Sequence, residues 1–400
     1  MGSSLSTEVL REGETSIEVP RLEAYVKAPS EYAPSKAPVF YNPVMKSNRD
    51  LTILALQAYQ STLGRDISVG EPLAGCGVRS VRIAVEVEGV LKVVMNDISS
   101  EAVKLARSNV ERNKLGEHVS IMNEDANLFM SRYAAPRKRF DFIDIDPFGS
   151  PAPYLDAAIR ALRNGGLLAL TATDMAPLCG VHPKACVRKY GGRSLRTEYC
   201  HELAIRLLVG CLTMMAAKHG VGFKVLFSHG SDHYIRTYVL IQYGAKQSDM
   251  NIQMMGYVLH CFPCFHREVF RGMFSPFERL CPECGSRMSV AGPLWLGKLF
   301  NEDFRLLMEK WLNRRKLKER WILKLLSTLQ SETEAPLTYY VIDRVCDRFN
   351  LSVPPLFDVI SKLKNKGFQA VRTHFNSSGV RTDAPASVFT HILSSLSHSK

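Results

Sequence analysis

The chain has 400 residues, 46% of them hydrophobic and 22% charged, with a formal net charge of +12. This length predicts two or three domains, and the composition excludes disordered, collagen-like and coiled-coil proteins. Most of the basic excess lies in residues 244–400 and favours a polyanionic partner such as nucleic acid. Because we find neither a bilayer-length apolar run nor a signal peptide, we expect a cytoplasmic protein without a membrane partner.

The first half of the chain alternates short apolar runs with amphipathic helical patterns. A helical pattern over Asp50–Leu63 precedes them. The runs end in Gly70–Ala74, Leu91–Asn96, Val119–Met122, Phe140–Ile145 and Gly166–Thr171, and the helical patterns between them include Val78–Val87, Ser100–Lys114 and Tyr154–Arg163. Strands that alternate with helices pair in parallel through crossovers, so this order predicts a doubly wound α/β sheet.

A second pattern follows the fifth strand. A long helical stretch, Glu198–His219, leads to two β-rich runs, Phe223–Ser228 and Tyr234–Tyr243, which we interpret as an antiparallel pair. A mostly parallel sheet with an antiparallel hairpin strand is typical of class I methyltransferases that use S-adenosylmethionine (SAM). We therefore assign residues 1–243 to an N-terminal extension and a SAM-dependent methyltransferase domain.

The composition changes at Gly244 toward cysteine, methionine and basic residues, and we place a domain boundary there. A helical pattern covers Glu302–Leu329. Two short helical patterns and a β-like run follow within Leu337–Thr373, in the order of a winged helix. Residues 244–400 are therefore predicted to form a C-terminal α+β domain with a winged-helix-like part.

Polar residues at the ends of the first three strands indicate a nucleoside site. Gly75 lies in a loop that opens a helix, where backbone N–H groups gather a polar ligand, although an ordinary tight turn is the alternative. Asp97 follows 22 residues later and can accept both ribose hydroxyls, or it merely caps the next helix. Asp125 and Ala126 are candidates for the adenine side. The alternative for them is a solvated loop.

The fourth strand ends in Asp146-Pro147-Phe148, which suits methyl transfer to an exocyclic amine. The lone pair of such an amine is delocalised into the ring, so a carboxylate that accepts its N–H bonds makes it a better nucleophile. We assign Asp146 as acceptor or base, the Pro147 carbonyl as a second acceptor and Phe148 as a stacking platform. The alternative is a strand that leaves the sheet through a proline turn.

Several long segments make the chain similar to the tRNA guanine-26 N2-dimethyltransferase family. They are Val39–Asp50, Asn96–Ser99, Asp144–Pro151, Thr171–Gly180 with His182 and Pro183, and Arg372–Phe375 with Gly379, Ala384 and Pro385. The resemblance implies SAM as donor, tRNA as substrate, and one or two methyl transfers to N2 of guanosine 26. The sequence leaves open whether a neighbouring guanine is also a target.

The resemblance also implies which residues do this work. It puts the cofactor residues at Arg49, Arg79, Asp97, Asp125 and Ala126, and the acidic catalytic position at Asp146. Arg49 and Arg79 suit the methionine carboxylate, because a guanidinium can bind it through two hydrogen bonds. Judged without the resemblance, the two arginines are more typical of an ordinary protein surface.

Two Cys-x-x-Cys pairs, 16 residues apart, predict a zinc site. Cys261, Cys264, Cys281 and Cys284 have the spacing of two zinc knuckles, and four thiolates leave no position open for a reacting water. We expect a structural zinc ion, with a disulfide pair or free thiols as the alternatives. Cys179, His182 and Cys186 form a weaker cluster, which we interpret as packing or substrate-loop residues.

Two basic runs in the C-terminal part, Lys310–Arg320 and Lys362–Lys366, are candidates for phosphate contacts or for solvated helix faces. Trp311 and Trp321 are predicted to be core residues. Two other functions stay open: an amine methyltransferase that acts on DNA, protein or a small molecule, and a non-catalytic RNA-binding protein. The sequence leaves the oligomeric state undetermined, with a monomer plausible.

Overall fold

A computed structural model describes residues 5–25, 34, 36–231, 233–273, 278–315 and 320–397. The chain divides into two compact units. One comprises residues 1–147, 153–170 and 306–317, and the other comprises residues 148–152, 171–305 and 318–400. The domain boundary at Gly244 stays a prediction, because this division follows contacts and not composition.

The N-terminal half begins with a hairpin and continues with alternating strands and helices. In chain order these elements are β1 (Thr7–Glu12), β2 (Thr15–Pro20), α1 (Lys46–Gln60), β3 (Ile67–Glu71), α2 (Val78–Glu86), β4 (Val90–Asn96), α3 (Ser100–Arg112), β5 (Val119–Met122), α4 (Ala126–Arg132), β6 (Phe140–Ile145), α5 (Leu155–Ala161) and β7 (Leu162–Ala172). The predicted bounds of β5 and β6 are confirmed, whereas α1 begins four residues before the predicted start.

The remaining elements mix helices with antiparallel strands. They are α6 (Met175–Leu178), α7 (Pro183–Tyr190), α8 (Cys200–Ala217), β8 (Val221–Gly230), β9 (Ile235–Tyr243), α9 (Ala245–Gln253), β10 (Met255–His260), β11 (Arg267–Arg271), β12 (Ser289–Trp295), α10 (Glu302–Arg314), α11 (Arg320–Ser331), β13 (Tyr340–Val341), α12 (Ile342–Phe349), α13 (Leu356–Asn365), β14 (Ala370–Thr373), β15 (Asn376–Thr382) and α14 (Ala386–Ser397). The predicted helical stretch Glu302–Leu329 is thus divided between α10 and α11, and residues 316–319 lie outside the described part.

The main sheet has seven strands in the order β5-β4-β3-β6-β7-β9-β8. The first five pair in parallel, and β8 and β9 pair antiparallel. All residues of β3 and β6 are buried, as expected of parallel strands covered on both faces. The predicted fold class, a mostly parallel methyltransferase sheet with an antiparallel hairpin strand, is confirmed.

The sheet register brings the polar strand ends together. Glu71 is opposite Met95, and Asn96 is opposite Met122, so β3, β4 and β5 end at nearly the same level. Gly70 is opposite Ile143 of β6. Ligands of open α/β sheets bind at this carboxyl edge, beside the point where the strand order reverses. The polar residues that follow these strands therefore share one edge.

The C-terminal part contains two small antiparallel sheets, with strand orders β11-β10-β12 and β13-β15-β14. The second sheet shares an apolar core with α12, α13 and α14, built around Val345, Val359, Leu363, Val380 and Phe389. Two helices followed by a β-hairpin are the order expected of a winged helix. The predicted α+β character of this part is confirmed.

Among the described residues, one helix is long and apolar enough to cross a membrane. This helix is α8, and 67% of its 18-residue window is buried inside the protein. Core helices of soluble proteins pass the same test, so α8 is weak evidence for a membrane span.

Candidate functional site

The loop after β3 is bound to the tip of β4. Gly75 and Gly77 have φ values of +55° and +76°, in the left-handed region that favours glycine. The Gly75 N–H donates to Asp97 Oδ2 at 2.8 Å. Asp97 Oδ1 accepts from the Ser99 N–H at 2.9 Å, and Ser99, not Asp97, caps α3. The alternative in which Asp97 caps this helix is therefore wrong.

Asp97 remains able to accept further hydrogen bonds. It is half-buried, and each carboxylate oxygen accepts one of the backbone bonds just described. An ionised carboxylate offers about four lone-pair sites, so each oxygen keeps one for another donor. This carboxylate is oriented by the backbone and can receive two hydroxyl groups.

Asn96 is a site-building residue that the sequence reasoning did not identify. Its side chain is buried and donates to the carbonyl oxygens of Pro72 and Glu124, both at 3.0 Å, and it accepts from the Glu124 N–H at 3.0 Å. These bonds join the segments that follow β3 and β5 to the end of β4. A buried amide as the last residue of an apolar strand was the available signal.

Asp125 and Ala126 begin α4. Asp125 is exposed, and its Oδ1 accepts from the N–H groups of Asn127 and Leu128 at 2.9 and 3.1 Å, which makes it the helix cap. Ala126 is buried. Asp125 is therefore more than a solvated loop carboxylate, since its orientation is fixed by the helix, and its Oδ2 can accept another donor.

The Arg79 guanidinium lies among three carboxylates. Its Nε is 3.3 Å from Glu71 Oε1, its Nη1 is 3.3 Å from Asp144 Oδ2, and its Nη2 donates to Asp146. Nη1 also donates to Asn48 Oδ1 and Thr52 Oγ1, at 2.9 and 2.7 Å. Arg79 is only 4% exposed, so the alternative of an ordinary surface arginine is wrong.

The surroundings of Glu71 raise the pKa of its carboxyl group. It is buried beneath the strand end, and Ser80 Oγ donates to it at 2.5 Å. Burial, opposed by Arg79 and reinforced by Asp144, raises the pKa of Glu71 to about 7. Three acidic side chains therefore share one guanidinium at this edge of the sheet.

Asp146 is the accessible carboxylate at the end of β6. Its side chain is 16% exposed, whereas Asp144 is fully buried. Pro147 is buried and the Phe148 side chain is 72% exposed. The strand thus ends in a reachable acceptor that Arg79 orients, followed two residues later by an exposed aromatic ring. The assignments of Asp146, Pro147 and Phe148 to catalysis stay predictions.

The turn that contains Phe148 is fixed on its far side. The Gly149 N–H donates to Thr173 Oγ1 at 2.7 Å, and the Thr173 N–H donates back to the Gly149 carbonyl at 2.9 Å. Gly149 has φ +90°, which a side chain rarely tolerates. These two hydrogen bonds connect the family segment that begins at Thr171 to the segment that contains Asp146, Pro147 and Phe148.

Arg49 is buried and already has a carboxylate partner. Its Nε and Nη2 donate to the two carboxylate oxygens of Glu12, both at 2.6 Å. Arg82 and the Tyr41 hydroxyl also donate to Glu12, each at 3.0 Å. Although burial opposes ionisation, Arg49 and Arg82 hold the pKa of Glu12 at about 2. The surface alternative is wrong for Arg49 too, and its cofactor role stays a prediction.

The four predicted zinc ligands converge. The Sγ atoms of Cys261, Cys264, Cys281 and Cys284 all lie within 4.8 Å of one another, with separations of 3.4 Å between Cys261 and Cys284 and 3.5 Å between Cys264 and Cys281. Tetrahedral zinc with Zn–S bonds of about 2.3 Å places sulfurs roughly 3.8 Å apart. The cluster therefore fits a structural Zn²⁺ ion.

Both halves of the cluster have the same backbone form. The Phe265 N–H donates to the Cys261 carbonyl, and the Gly285 N–H donates to the Cys281 carbonyl, both at 2.8 Å. Phe265 and Gly285 both have positive φ values, +63° and +71°. This repeat is the local geometry of two zinc knuckles, and it comes from the Cys-x-x-Cys spacing.

The weaker candidates have mixed outcomes. Cys186 is fully buried, in line with the packing role expected for it. In the described part of the chain, the only group of three or more potential metal-ligating side chains is the four-cysteine cluster.

Of the two tryptophans predicted to be core residues, Trp311 is buried, but Trp321 is only partly buried. In the basic runs, Arg314 stacks on Trp311 and Lys362 donates to Ser395 Oγ at 2.9 Å. Residues 316–319 are outside the described residues.

Loss of the zinc ligands should destabilise the protein. Because metal binding is linked to folding, we expect the Cys261→Ser/Cys281→Ser variant to lose bound zinc and about 3 kcal/mol of stability, which lowers an unfolding midpoint by roughly 10 °C. Calorimetry with a zinc assay measures both effects. The Cys211→Ser variant, outside the cluster, serves as control. An unchanged midpoint after zinc loss would contradict a structural role.

Glu71 should make the stability depend on pH. The folded protein holds the Glu71 proton more tightly than the unfolded chain, so its contribution is full below about pH 4.5 and is lost as the pH rises through about 7. The Glu71→Gln variant lacks this loss. We expect its melting temperature, relative to the unmodified chain, to rise by roughly 5 °C between pH 5 and pH 8. Glu101→Gln is an exposed control, and a constant difference would refute the assignment.

Comparisons with known proteins agree with this architecture. The family model for N2,N2-dimethylguanosine tRNA methyltransferase matches residues 13–394. The tRNA (guanine(26)-N(2))-dimethyltransferase of Methanothermobacter thermautotrophicus is 43% identical over 363 residues, which are 90% of this chain and 94% of that protein. The tRNA (guanine(26)-N(2)/guanine(27)-N(2))-dimethyltransferase of Aquifex aeolicus is 35% identical over 382 residues, 94% and 93% of the two chains.

A solved structure is similar over nearly the same length. Trm1 from Pyrococcus horikoshii, in complex with S-adenosyl-L-methionine, has a TM-score of 0.82 and 34% sequence identity, and the match covers 97% of this chain and 100% of that one. The family resemblance recognised in the sequence is thereby confirmed. Since the family model and these relatives extend over almost the whole length, the chain belongs to the N2,N2-dimethylguanosine tRNA methyltransferase family.

Proposed function

We propose that this protein transfers methyl groups from SAM to the exocyclic N2 of guanosine 26 in tRNA, once or twice per guanosine. The observation that carries this proposal is Asp146, the accessible carboxylate at the end of β6, followed by Pro147 and the exposed Phe148. The relatives named for this reaction, from 35% to 43% identical, support the choice of substrate. The relative solved with SAM supports the choice of donor.

The strand ends next to Asp146 provide the elements of a SAM site. Asp97 accepts the ribose hydroxyls, and the Gly75 loop gives close backbone approach to the rest of the cofactor. Asp125 and Ala126 bind the adenine, since the capped helix start presents a carboxylate oxygen and a backbone N–H. The acidic side chains around Arg79 attract the positive sulfonium.

Arg49 and Arg79 are the proposed partners of the methionine carboxylate. Each guanidinium already binds a protein carboxylate, Glu12 in one case and Asp146 in the other. A methionine carboxylate that takes the N–H groups now directed at these acids displaces one of these hydrogen bonds. For Arg79 this exchange would free an Asp146 oxygen to meet the amino group, so cofactor binding and substrate binding become linked.

The proposed reaction is a direct displacement. The N2 lone pair attacks the sulfonium methyl, a N–C bond forms as the S–C bond breaks, and the sulfonium becomes the neutral thioether of S-adenosylhomocysteine. The amine, now positively charged, releases a proton to Asp146, which passes it to water. Before transfer, Asp146 and the Pro147 carbonyl accept the two N–H bonds, while Phe148 stacks on the base and fixes the angle of attack.

tRNA is the proposed macromolecular partner. Guanosine 26 lies within the folded core of tRNA, so it must be flipped out to reach Asp146. Phosphate contacts from the C-terminal basic residues, such as the exposed Lys364 and Lys366, hold the RNA without reading bases. We propose that this activity takes place in the cytoplasm.

The activity can be tested with labelled SAM and two tRNA transcripts that differ only at position 26, guanosine or adenosine. We expect label in N2-methylguanosine and N2,N2-dimethylguanosine from the first transcript. Label retained with adenosine 26 would show that a neighbouring guanine is the target. Two results would reject the proposal. Label found only in DNA, protein or small amines would favour an amine methyltransferase with another substrate, and RNA binding without turnover would favour a non-catalytic RNA-binding protein.

Substitution of Asp146 should affect the reaction more than cofactor binding. Because the carboxylate activates the amine, we expect Asp146→Ala to lower kcat by about 10²–10⁴-fold while SAM still binds. Asp97→Ala is the matched comparison at the same edge. Because this variant loses a charged hydrogen-bond acceptor, we expect the Kd of Asp97→Ala for SAM to rise by about 10–100-fold. Much of its kcat should be recovered at saturating SAM. Single-turnover kinetics and calorimetry separate the two effects, and near-normal turnover of Asp146→Ala would overturn the catalytic assignment.

A further inference from the structure

A cavity of about 540 Å³ lies in the first unit, outside the proposed SAM site. It is lined by Lys92, Arg132, Tyr133, Arg137 and Lys138. Four of these five side chains are positively charged, and none is a carboxylate. The cavity therefore concentrates positive potential in the methyltransferase part of the chain, and none of its lining residues belongs to the two basic runs of the C-terminal part.

The cations of this cavity are mostly unneutralised. Arg132 has a carboxylate partner, with its Nε 2.7 Å from Glu124 Oε2. For Lys92, Arg137 and Lys138, no ion pair forms with any residue in the described ranges. All three are exposed. Like charges that face one cavity repel one another, and an entering anion relieves that repulsion.

The lining fits a phosphate better than a base. Tyr133 is the only aromatic lining residue, and its ring packs on Phe140 and Phe129, with centroid distances of 4.4 and 5.2 Å. The Tyr133 hydroxyl is directed to Met122 Sδ, 3.7 Å away. The one aromatic ring of the lining already packs on two phenylalanines, and the lining has no carboxylate or amide side chain that could read a base edge, so charge is its main means of recognition.

The cavity is within reach of an RNA held at the proposed active edge. Lys92 and Asp97 are five residues apart along β4 and its tip, a distance of about 17 Å in an extended strand. Arg132 ends α4, the helix that begins beside Asp125. A nucleic acid helix carries a phosphate every few ångströms, so one bound RNA can contact the cavity and present a base at the edge.

We propose that this cavity binds phosphate groups of the tRNA backbone and so gives the methyltransferase unit its own contact with the substrate. This inference rests on the proposed function. The contact is electrostatic and independent of sequence, so it contributes to affinity and to the orientation of the RNA. It leaves the choice of guanosine to the site around Asp146.

The test compares two variants with the same loss of charge. The cavity variant is Lys92→Gln/Arg137→Gln/Lys138→Gln. The control variant is Lys104→Gln/Arg107→Gln/Lys114→Gln, which removes three exposed cations outside the cavity. We measure the Kd for tRNA against salt concentration, the Kd for inorganic triphosphate, KM and kcat for methyl transfer, and the Kd for SAM in both full-length proteins.

The cavity variant should bind tRNA at least about tenfold more weakly, and the slope of log Kd against log salt should fall by roughly 2, since each phosphate contact contributes about 0.7–0.9. KM for tRNA should rise, with kcat at saturating tRNA and the Kd for SAM retained. The control variant should keep a slope close to that of the unmodified chain, because its three cations do not line the cavity.

Two outcomes would overturn the proposal. In one, the cavity and control variants have equal tRNA affinity and equal salt slopes. In the other, the cavity variant loses binding of inorganic triphosphate but keeps its tRNA affinity, which would assign the cavity to a small anion. Failure of the proposed function is distinguishable, because it would appear as absent methyl transfer by the unmodified chain, whatever the two variants do.

Discussion

The candidate active edge depends on one buried guanidinium. Arg79 contacts carboxylates from the ends of two neighbouring strands: Glu71 from β3, and Asp144 and Asp146 from β6. None of these charges could be buried at acceptable cost alone, so each one requires the others. The same arrangement places three acidic side chains where a sulfonium is proposed to bind. Structural pairing and cofactor attraction therefore arise from the same four side chains.

A second group of buried charges attaches the N-terminal hairpin to the sheet unit. Glu12, at the end of β1, binds both Arg49 and Arg82, and Arg82 also contacts Asp50 and Glu86. Removal of one partner from such a group typically costs about 3–5 kcal/mol, because a buried charge is left uncompensated. The hairpin thus completes the surroundings of Arg49. Ion pairs as well as apolar packing therefore stabilise the first compact unit near its proposed cofactor residues.

The sequence was sufficient where the determining pattern is local. The bounds of β5 and β6 follow from apolar runs, and the convergence of the four cysteines follows from two short spacings. The surroundings of the arginines could not be predicted, because Arg49 and Glu12 are 37 residues apart and Arg79 and Asp146 are 67 apart. No periodicity encodes such pairs. For Asn96 the sequence offered only its position at the end of an apolar strand, since its partners belong to other strand ends.

The zinc knuckles show how a metal site can serve packing and not chemistry. At the position where the second knuckle has Gly285, the first has Phe265, although a positive φ costs a non-glycine residue about 1 kcal/mol or more. Phe265 packs against the winged-helix core, with its ring 6.4 Å from Phe349 and 6.2 Å from His260. Burial of an aromatic ring offsets a cost of that size. The knuckle conformation, which four thiolates around one ion would hold rigid, therefore directs a ring into the neighbouring core. A bound Zn²⁺ ion would order this part of the chain while leaving no coordination site open for chemistry.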